Sequence, residues 1–368
     1  MKILFLNGGN TAGGAERVMT ILANYTVETN QDVTFVQLDK DSSFYHLEKR
    51  MHHVYIGSKV GQTKNIVEKL WARVLCYQGL LKILKDVRPD VVISFLGLPN
   101  RLGCVCCHKQ NIPIIISERN YPLFQYNKTW DRVATNLSYP KANGVVCQSE
   151  GARKQFIKKF GDKNVTIIVN PLTKDQMTEK ATSRVNNIIS VGRLAAQKNH
   201  KLLIQAYSEL PDIVRNYKLI IYGEGTLRPE LEKMVKDLGM EDRIFLPGVE
   251  KEAIKKHNNA SLFVMPSLFE GYPNVLVEAM ANGLPVVASD IAPGTVSQIV
   301  KDGYNGWIFP VNDKEALKEK MCSALSDKEA LEQIAERGME IRKEIPIEKI
   351  GPQWMHFIHQ IISAEHSA

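Results

Sequence analysis

FEGYPNVLVEAM, residues Phe269 to Met280, places an acid after an aromatic, breaks the chain at Gly271 and Pro273, then runs apolar to a second acid at Glu278. Pro273 followed by Asn274 predicts a helix with Asn274 as its N-cap. The N–H groups of Val275, Leu276 and Val277 would then lack partners inside the helix, and the positive end of the helix dipole adds to them. Such a start suits a phosphate or diphosphate. Glu270 falls in the loop before the helix and Glu278 about one turn inside it, roughly 6 Å along the axis. Two carboxylates bracketing a diphosphate would take hydroxyls at its two ends, a ribose on one side and a sugar on the other. Two acids eight apart would, alone, equally suit a helix start with solvated glutamates.

The strings around it repeat one pattern, a short apolar run ending in a glycine or proline turn. Val191–Gly192–Arg193–Leu194–Ala195–Ala196–Gln197–Lys198–Asn199 carries two cations five residues apart in one loop. Arg193 and Lys198 could neutralise the charge on a departing diphosphate, as Mg²⁺ does elsewhere. Tyr222–Gly223–Glu224–Gly225 is another glycine turn, weak alone. Leu246–Pro247–Gly248–Val249 and Met265–Pro266–Ser267 suit the border of a nucleobase.

Along the whole chain, β-rich runs alternate with helical patterns, which predicts α/β architecture with parallel sheets wrapped by helices. A first series covers Ile3–Asn7, Val33–Leu38, Val91–Phe95, Ile114–Ser117 and Val145–Gln148. A second covers Ile188–Val191, Lys218–Tyr222, Ile244–Leu246, Leu262–Met265 and Val286–Ala288, after a polar, linker-like stretch Thr173–Asn187. With 368 residues, 44% of them hydrophobic, two doubly wound domains are expected. Ligands in such sheets bind at the carboxyl ends of strands, so a cleft between facing domains is the expected site.

Lys2 is followed by only a short strand-like run, which predicts no leader, and no stretch reaches the length of a spanning helix. Six scattered cysteines suggest no disulfide framework and a reducing compartment. The net charge of +7 is uneven: residues 1–170 hold 23 basic and 13 acidic residues, a balance of +10, against −3 in the remainder. A basic first half points to an anionic surface or ligand. No basic run, zinc spacing or aromatic-rich signature favours nucleic acid.

In that half, Gly8–Gly9–Asn10–Thr11–Ala12–Gly13–Gly14–Ala15–Glu16–Arg17 forms a glycine-rich strand-to-helix turn, either a phosphate approach or a plain turn. It fits neither a Walker A loop nor G-x-G-x-x-G. Lys64–Arg88 predicts a basic helix with an apolar band (Ile66, Val67, Leu70, Trp71, Val74, Leu75, Leu80, Leu81, Leu84), lying at a bilayer interface, packed on its sheet, or both. Cys104–Val105–Cys106–Cys107–His108 lacks a second ligand pair and reads as buried helix residues, and Asp39–Lys40–Asp41 reads more readily as a turn than as a metal pair. Ile114–Ser117 runs into Glu118, Arg119 and Asn120. There Glu118 could orient or deprotonate an acceptor hydroxyl and Arg119 could pair with phosphate, unless the two form a structural pair at the domain edge.

Together, GGAERV, VGRLxxxKN, YGEG, LPGV, MPSLFEGYPNVLVEAMANGLPVVASD and a closing Trp-containing helix resemble the family 4 retaining glycosyltransferases of GT-B fold, over nearly the whole chain. SFYHLE and ISERN are further similar to bacterial transferases that build capsule, O-antigen and lipid-linked glycans. The resemblance implies two Rossmann-like domains facing across a cleft: residues 1–172 plus 349–368 binding acceptor, and 173–348 binding the nucleotide sugar. The final helix, around Ile350–Ile362, would cross back to the first domain.

By that likeness Glu270 contacts donor-sugar hydroxyls and Glu278 the ribose. Arg193 and Lys198 hold the diphosphate with the amides of Asn274, Val275 and Leu276, while Gly13 and Gly14 approach it from the first domain. Gly192, Gly223, Pro247 and Gly271 complete the donor set, and Arg119 and Asn120 face the acceptor. The resemblance implies no metal, no cofactor and no covalent intermediate, with the leaving phosphate oxygen accepting the acceptor's proton. Two departures stand out. Relatives often carry His where this chain has Arg119, which cannot act as a base. They also often read Cys-Pro-x-Gly-Pro-x-Glu after Asp290, where this chain has Ile-Ala-Pro-Gly-Thr-Val-Ser.

The expected function is transfer of a hexose or N-acetylhexosamine from a UDP-linked donor to a polyprenyl-diphosphate-linked saccharide. The expected location is the cytoplasmic face of the membrane, held peripherally by the basic first half. Alternatives are a nucleotide-sugar 2-epimerase of the same plan, or a non-catalytic nucleotide-sugar-binding scaffold. Domain closure about residues near 175 and 348 is expected of such a cleft enzyme.

Overall fold

The computed structural model describes residues 1–9, 13–39, 45–58, 65–119, 129–162, 164–211, 214, 216–292 and 294–366. The chain divides into two compact units, Met1–Pro171 with Ile347–Ala368, and Leu172–Pro346.

Among the described residues, the first unit holds strands β1 (Lys2–Asn7), β2 (Asp32–Gln37), β3 (His52–Tyr55), β4 (Val91–Phe95), β5 (Ile114–Ser117), β6 (Gly144–Cys147) and β7 (Val165–Ile167). They form one parallel sheet in the order β3-β2-β1-β4-β5-β6-β7. The second unit holds β8 (Val185–Val191), β9 (Lys218–Tyr222), β10 (Ile244–Gly248), β11 (Ala260–Met265), β12 (Val286–Ser289) and β13 (Trp307–Phe309), ordered β10-β9-β8-β11-β12-β13. Both orders reverse direction beside the first strand of their unit, which defines the doubly wound Rossmann-like sheet and its switch point.

Three strands have no counterpart in the sequence reading: β3, β7 and β13. Each is the outermost strand of its sheet. Each is only three or four residues long, and His52–Tyr55 is exposed or half-buried throughout. β3 and β7 bury too little to need the apolar run by which a central strand is recognised, whereas β13 is apolar and largely buried but only three residues long. The linker-like stretch also differs, because Val185–Asn187 already belongs to β8. Its earlier part is pinned: Thr178 N–H donates to Asn282 Oδ1 (2.9 Å), and Arg342 holds the Thr178 carbonyl.

Alternation along each strand builds one core on each sheet face. In the first unit Ile3 and Phe5 face the helix Gly14–Glu28 and the C-terminal helix Ile347–His366, while Leu4 and Leu6 face the helices Ile66–Val87 and Gly97–Gln110. The C-terminal helix contributes Trp354, Phe357, Ile358 and Ile361, each of which stabilises by about 1.5–3 kcal/mol on burial. Gly351 permits its close packing, since a Cβ there would lie 2.3 Å from the Tyr25 ring.

The helix Ile66–Val87 carries two apolar faces. Ala72, Cys76, Leu80 and Leu84 pack inward. Val67, Leu70, Trp71 and Val74, spaced i, i+3, i+4, i+7, lie on an exposed stripe, Trp71 being 63% exposed. The single wide band of the sequence reading is therefore split, because a helix packs on its sheet through one face only. Beside it the helix Thr129–Ser138 exposes Trp130, Val133 and Leu137, and Arg73 reaches Asp131 at 3.8 Å.

Candidate active site

The second unit's sheet ends in two turns pressed against each other. Gly192 N–H donates to the Tyr222 carbonyl (2.9 Å) and Leu194 N–H to the Glu224 carbonyl (2.9 Å). Gly223 adopts φ +148°, and a Cβ there would fall 1.9 Å from the Gly192 carbonyl oxygen; at Gly225 it would fall 2.3 Å from that of Leu194. The two strings VGRL and YGEG thus make one interlocked floor, which only glycines allow. Glu224 is committed to this frame through its 2.6 Å ion pair with Arg228.

On that floor lies Lys198. Its stem covers Gly192, whose Cβ would meet the Lys198 Cδ and Cε at 3.1 Å. Its ammonium donates to Glu270 Oε1 at 2.5 Å, and the two side chains are 15% and 11% exposed. The Ser267 hydroxyl also donates to Oε1 (2.8 Å), while Gln197 Nε2 donates to Oε2 (3.2 Å) and to the Phe269 carbonyl (2.9 Å). Ser289 in turn donates to the Ser267 carbonyl (2.6 Å). A buried carboxylate with three donors is fixed in place as well as charge-balanced. Arg193 is exposed and reaches this cluster through Gln197, donating to Oε1 at 3.2 Å.

Gln197 and Ser289 were given no role by the sequence reading, and Ser267, expected at the border of a nucleobase, instead holds Glu270. The available signals were spacing: Gln197 follows Arg193 by four, and Ser267 precedes Glu270 by three. His200, buried beside Lys198, was missed as well; burial and that neighbouring charge push its pKa down to about 3.

The helix of FEGYPNVLVEAM spans Asn274–Ala281, so its cap lies one residue before the expected Asn274. Pro273 occupies the N-cap, and no side chain caps the helix. The Pro273 carbonyl accepts the N–H groups of Leu276 (3.0 Å) and Val277 (3.1 Å), and Asn274 N–H donates to the Tyr272 carbonyl (2.9 Å). Of the amides proposed for the diphosphate, Val275 alone keeps an unpartnered N–H among the described residues. The reason is local: with the N-cap at Pro273, Val277 N–H makes the first i→i−4 bond of the helix and Leu276 N–H shares the same carbonyl. Glu278 lies half-buried on this helix, Gly271 in the loop before it, and Pro247 exposed at the end of β10.

In the first unit, Gly13 is the N-cap of the helix that starts at Gly14, with its carbonyl accepting Arg17 N–H (3.1 Å) and the Tyr45 hydroxyl (3.2 Å). Glu118 and Arg119 leave β5 on opposite faces. Glu118 is buried and accepts the Tyr139 hydroxyl at 2.5 Å. Arg119 turns to the other side, over the Phe95 ring at 3.8 Å, and donates to Asn170 Oδ1. The structural Glu–Arg pair is thus replaced by two separate attachments, as strand alternation requires. Burial pulls the Arg119 pKa down to about 9. Asn120, and Asp41 of the Asp39–Asp41 pair, lie outside the described residues. Cys104, Cys106 and Cys107 sit in the apolar cluster against the sheet, where burial raises their thiol pKa values.

Two doubly wound units, with glycine turns and a fixed Lys–Glu pair at the strand ends of the second, define a two-module α/β enzyme. Residues 173–340 match the family model described as Glycosyl transferases group 1, and residues 12–176 match that described as Glycosyltransferase Family 4. The chain belongs to the glycosyltransferases built from these two modules, and its fold is GT-B. It is 28% identical, over 99% of its own length and 100% of the relative's, to a GalNAc-alpha-(1->4)-GalNAc-alpha-(1->3)-diNAcBac-PP-undecaprenol alpha-1,4-N-acetyl-D-galactosaminyltransferase of Campylobacter jejuni. It is 23% identical to the amylovoran biosynthesis glycosyltransferase AmsD of Erwinia amylovora, over 82% and 84% of the two chains. Among solved structures it shares the fold of HepE from Anabaena in complex with UDP, with a TM-score of 0.80 and 19% identity over 98% and 100% of the chains.

Proposed function

We propose that this glycosyltransferase moves a hexose or N-acetylhexosamine from a UDP-linked donor to a saccharide carried on a polyprenyl diphosphate, with retention of anomeric configuration and without a metal or cofactor. The observation that carries the reading is Glu270. Its carboxylate is buried and fixed by Lys198, Ser267 and Gln197 beside a helix start, an arrangement suited to gripping sugar hydroxyls next to a diphosphate. Lys198 and Arg193 supply the positive charge that a leaving UDP needs, and Val275 N–H adds a backbone donor. The PP-undecaprenol in the name of the Campylobacter relative, and the UDP in the HepE complex, support the choice of acceptor and donor.

In this reading the acceptor hydroxyl attacks the anomeric carbon on the face from which UDP departs, and its proton passes to the departing phosphate oxygen. Arg119 takes no proton, so it does not serve as the base. Among the described residues no helix is long and apolar enough to cross a membrane. Peripheral attachment at the cytoplasmic face is supported by the exposed apolar stripes of Ile66–Val87 and Thr129–Ser138 and by the basic balance of residues 1–170. The test is a thermal-shift screen across nucleotide sugars followed by transfer to a synthetic polyprenyl-diphosphate saccharide. Stabilisation by UDP-sugars together with acceptor-dependent UDP release is expected. UDP-sugar turnover without acceptor would identify an epimerase or hydrolase instead.

A further inference from the structure

One face of the first unit's sheet, at its carboxyl edge, gathers buried N–H donors that have no acceptor. Arg119 is 9% exposed, and its Nε and Nη2 have no hydrogen-bond partner among the described residues. Its guanidinium lies over the Phe95 ring at 3.8 Å, and that ring packs on Trp354 with centroids 5.8 Å apart. Trp354 Nε1 is likewise buried and unpartnered. Asn7 continues the face of Ile3 and Phe5, level with Phe95 by the register Leu6↔Ser94, and its Nδ2 has no partner. Gln37, opposite Asn7 on β2, leaves its Nε2 unpartnered too.

The amide oxygens of the same groups each already accept a hydrogen bond. Asn7 Oδ1 accepts Gly8 N–H (2.8 Å), Gln37 Oε1 accepts from His53 Nε2, and Asn170 Oδ1 accepts from Arg119 Nη1. What remains is five N–H-bearing atoms on four side chains, one of them a cation at neutral pH. A neutral sugar hydroxyl would need a share of those few oxygens for its own proton, whereas an anionic oxygen group accepts only and matches a set dominated by donors and a cation. Leaving such donors buried without partners is costly, and active-site burial of unmatched charge is a feature of functional rather than stabilising residues.

We propose that Arg119, Trp354 and Asn7 form a binding site for an oxyanion borne by the acceptor, of the phosphate or carboxylate kind. This rests on the reading of the first unit as the acceptor-binding half. It assigns the Arg119 departure a purpose: a fixed cation stands where a base is not needed, and the acceptor is held by its charge. Arg119 is here a binding residue and performs no proton transfer.

The test uses the full chain saturated with UDP, so that the donor site is filled, and titrates inorganic pyrophosphate or glucuronate by calorimetry. Uptake of one further anion per chain is expected in the wild type, pyrophosphate marking a phosphate-bearing acceptor and glucuronate an acidic sugar. Arg119→Met is expected to weaken that uptake at least tenfold, to leave UDP binding unchanged, and to melt no lower than wild type in the absence of anion, because an uncompensated buried cation has been removed. Should Arg119→Met fail to fold, Trp354→Phe keeps the ring, removes one donor and is expected to weaken uptake several-fold. Equal anion binding in wild type and variants, or none in wild type, overturns the proposal. Failure of UDP to bind would instead count against the donor reading, leaving the comparison of wild type with Arg119→Met intact.

Discussion

Lys198 Nζ lies 2.5 Å from Glu270 Oε1, so the cation expected at the diphosphate and the carboxylate expected at the sugar hold each other. Each is the other's main compensation for burial, and Glu270 keeps its second oxygen, shared with Gln197, for a ligand hydroxyl. Removing one partner strands the other. Lys198→Met is expected to destabilise the second unit by about 3 kcal/mol in urea unfolding. The double variant Lys198→Met with Glu270→Gln should recover part of that loss, which additive single effects would not give. Glu270→Gln alone should lower transfer by about 10²-fold while UDP binding is retained, as for a group that acts on the sugar. Transfer at the wild-type rate would remove Glu270 from the site.

The contact between Gly223 and the Gly192 carbonyl gives a second expectation. A methyl group at 1.9 Å from that oxygen must force the VGRL and YGEG turns apart, displacing the surface on which the Lys198 stem rests. Gly223→Ala should cost about 1–3 kcal/mol of stability through overpacking. It should also weaken UDP binding, because the displaced turn carries Arg193 and Lys198 with it. Gly239→Ala serves as control: its φ is +63° but nothing lies within 4 Å of the added carbon, so only backbone strain and no loss of UDP affinity is expected. Calorimetric titration of UDP against both variants separates the two outcomes.

These contacts mark where sequence reading succeeds and stops. The central strands Val91–Phe95, Ile114–Ser117 and Lys218–Tyr222 stand where the apolar runs place them, since strands buried on both faces need such runs. Glu270 and Lys198 are recognisable as polar residues at strand-end turns, yet no spacing rule says that residues 72 apart will pair with each other. The roles of Gln197, Ser267 and Ser289 are invisible for the same reason: they orient Glu270, and orientation exists only after folding. The helix cap falls on Pro273 against a sound local preference for Asn. Glu118 and Arg119 lie just past the end of β5, and their opposite directions continue its alternation.

Acid stability should report on His200. Burial and Lys198 hold its folded pKa at about 3, below the ordinary 6.5 of the unfolded chain. As pH falls below 6.5 the unfolded chain takes up the proton first, so the stability present above that value drains away toward pH 3. The urea midpoint of wild type should therefore fall more steeply through this window than that of His200→Leu, whose unfolded state gains no such proton. Parallel curves would show that His200 is protonated in the folded protein at these pH values.

The exposed faces of Ile66–Val87 and Thr129–Ser138 carry the last expectation. Trp71 and Leu137 are 63% and 69% exposed, and both sit on helices whose opposite sides are anchored, by Cys76 and Leu80 in one and by Thr135 and Ser138 in the other. A soluble surface rarely keeps so many large apolar side chains together without a partner. Lys69, Arg73 and Arg132 flank them, which suits the headgroups of an anionic bilayer better than an apolar protein interface. Trp71→Glu with Leu137→Glu should therefore reduce flotation with phosphatidylglycerol-containing vesicles several-fold. The melting temperature should stay near wild type, because substitutions at such exposed positions change stability by about 0.5 kcal/mol or less. Transfer to a water-soluble acceptor analogue should be unaffected, whereas transfer to a vesicle-embedded polyprenyl-diphosphate saccharide should fall with the bound fraction. Unchanged flotation would free this face from the membrane, and a shift from dimer to monomer on gel filtration in the same variant would assign it to a second copy of the chain.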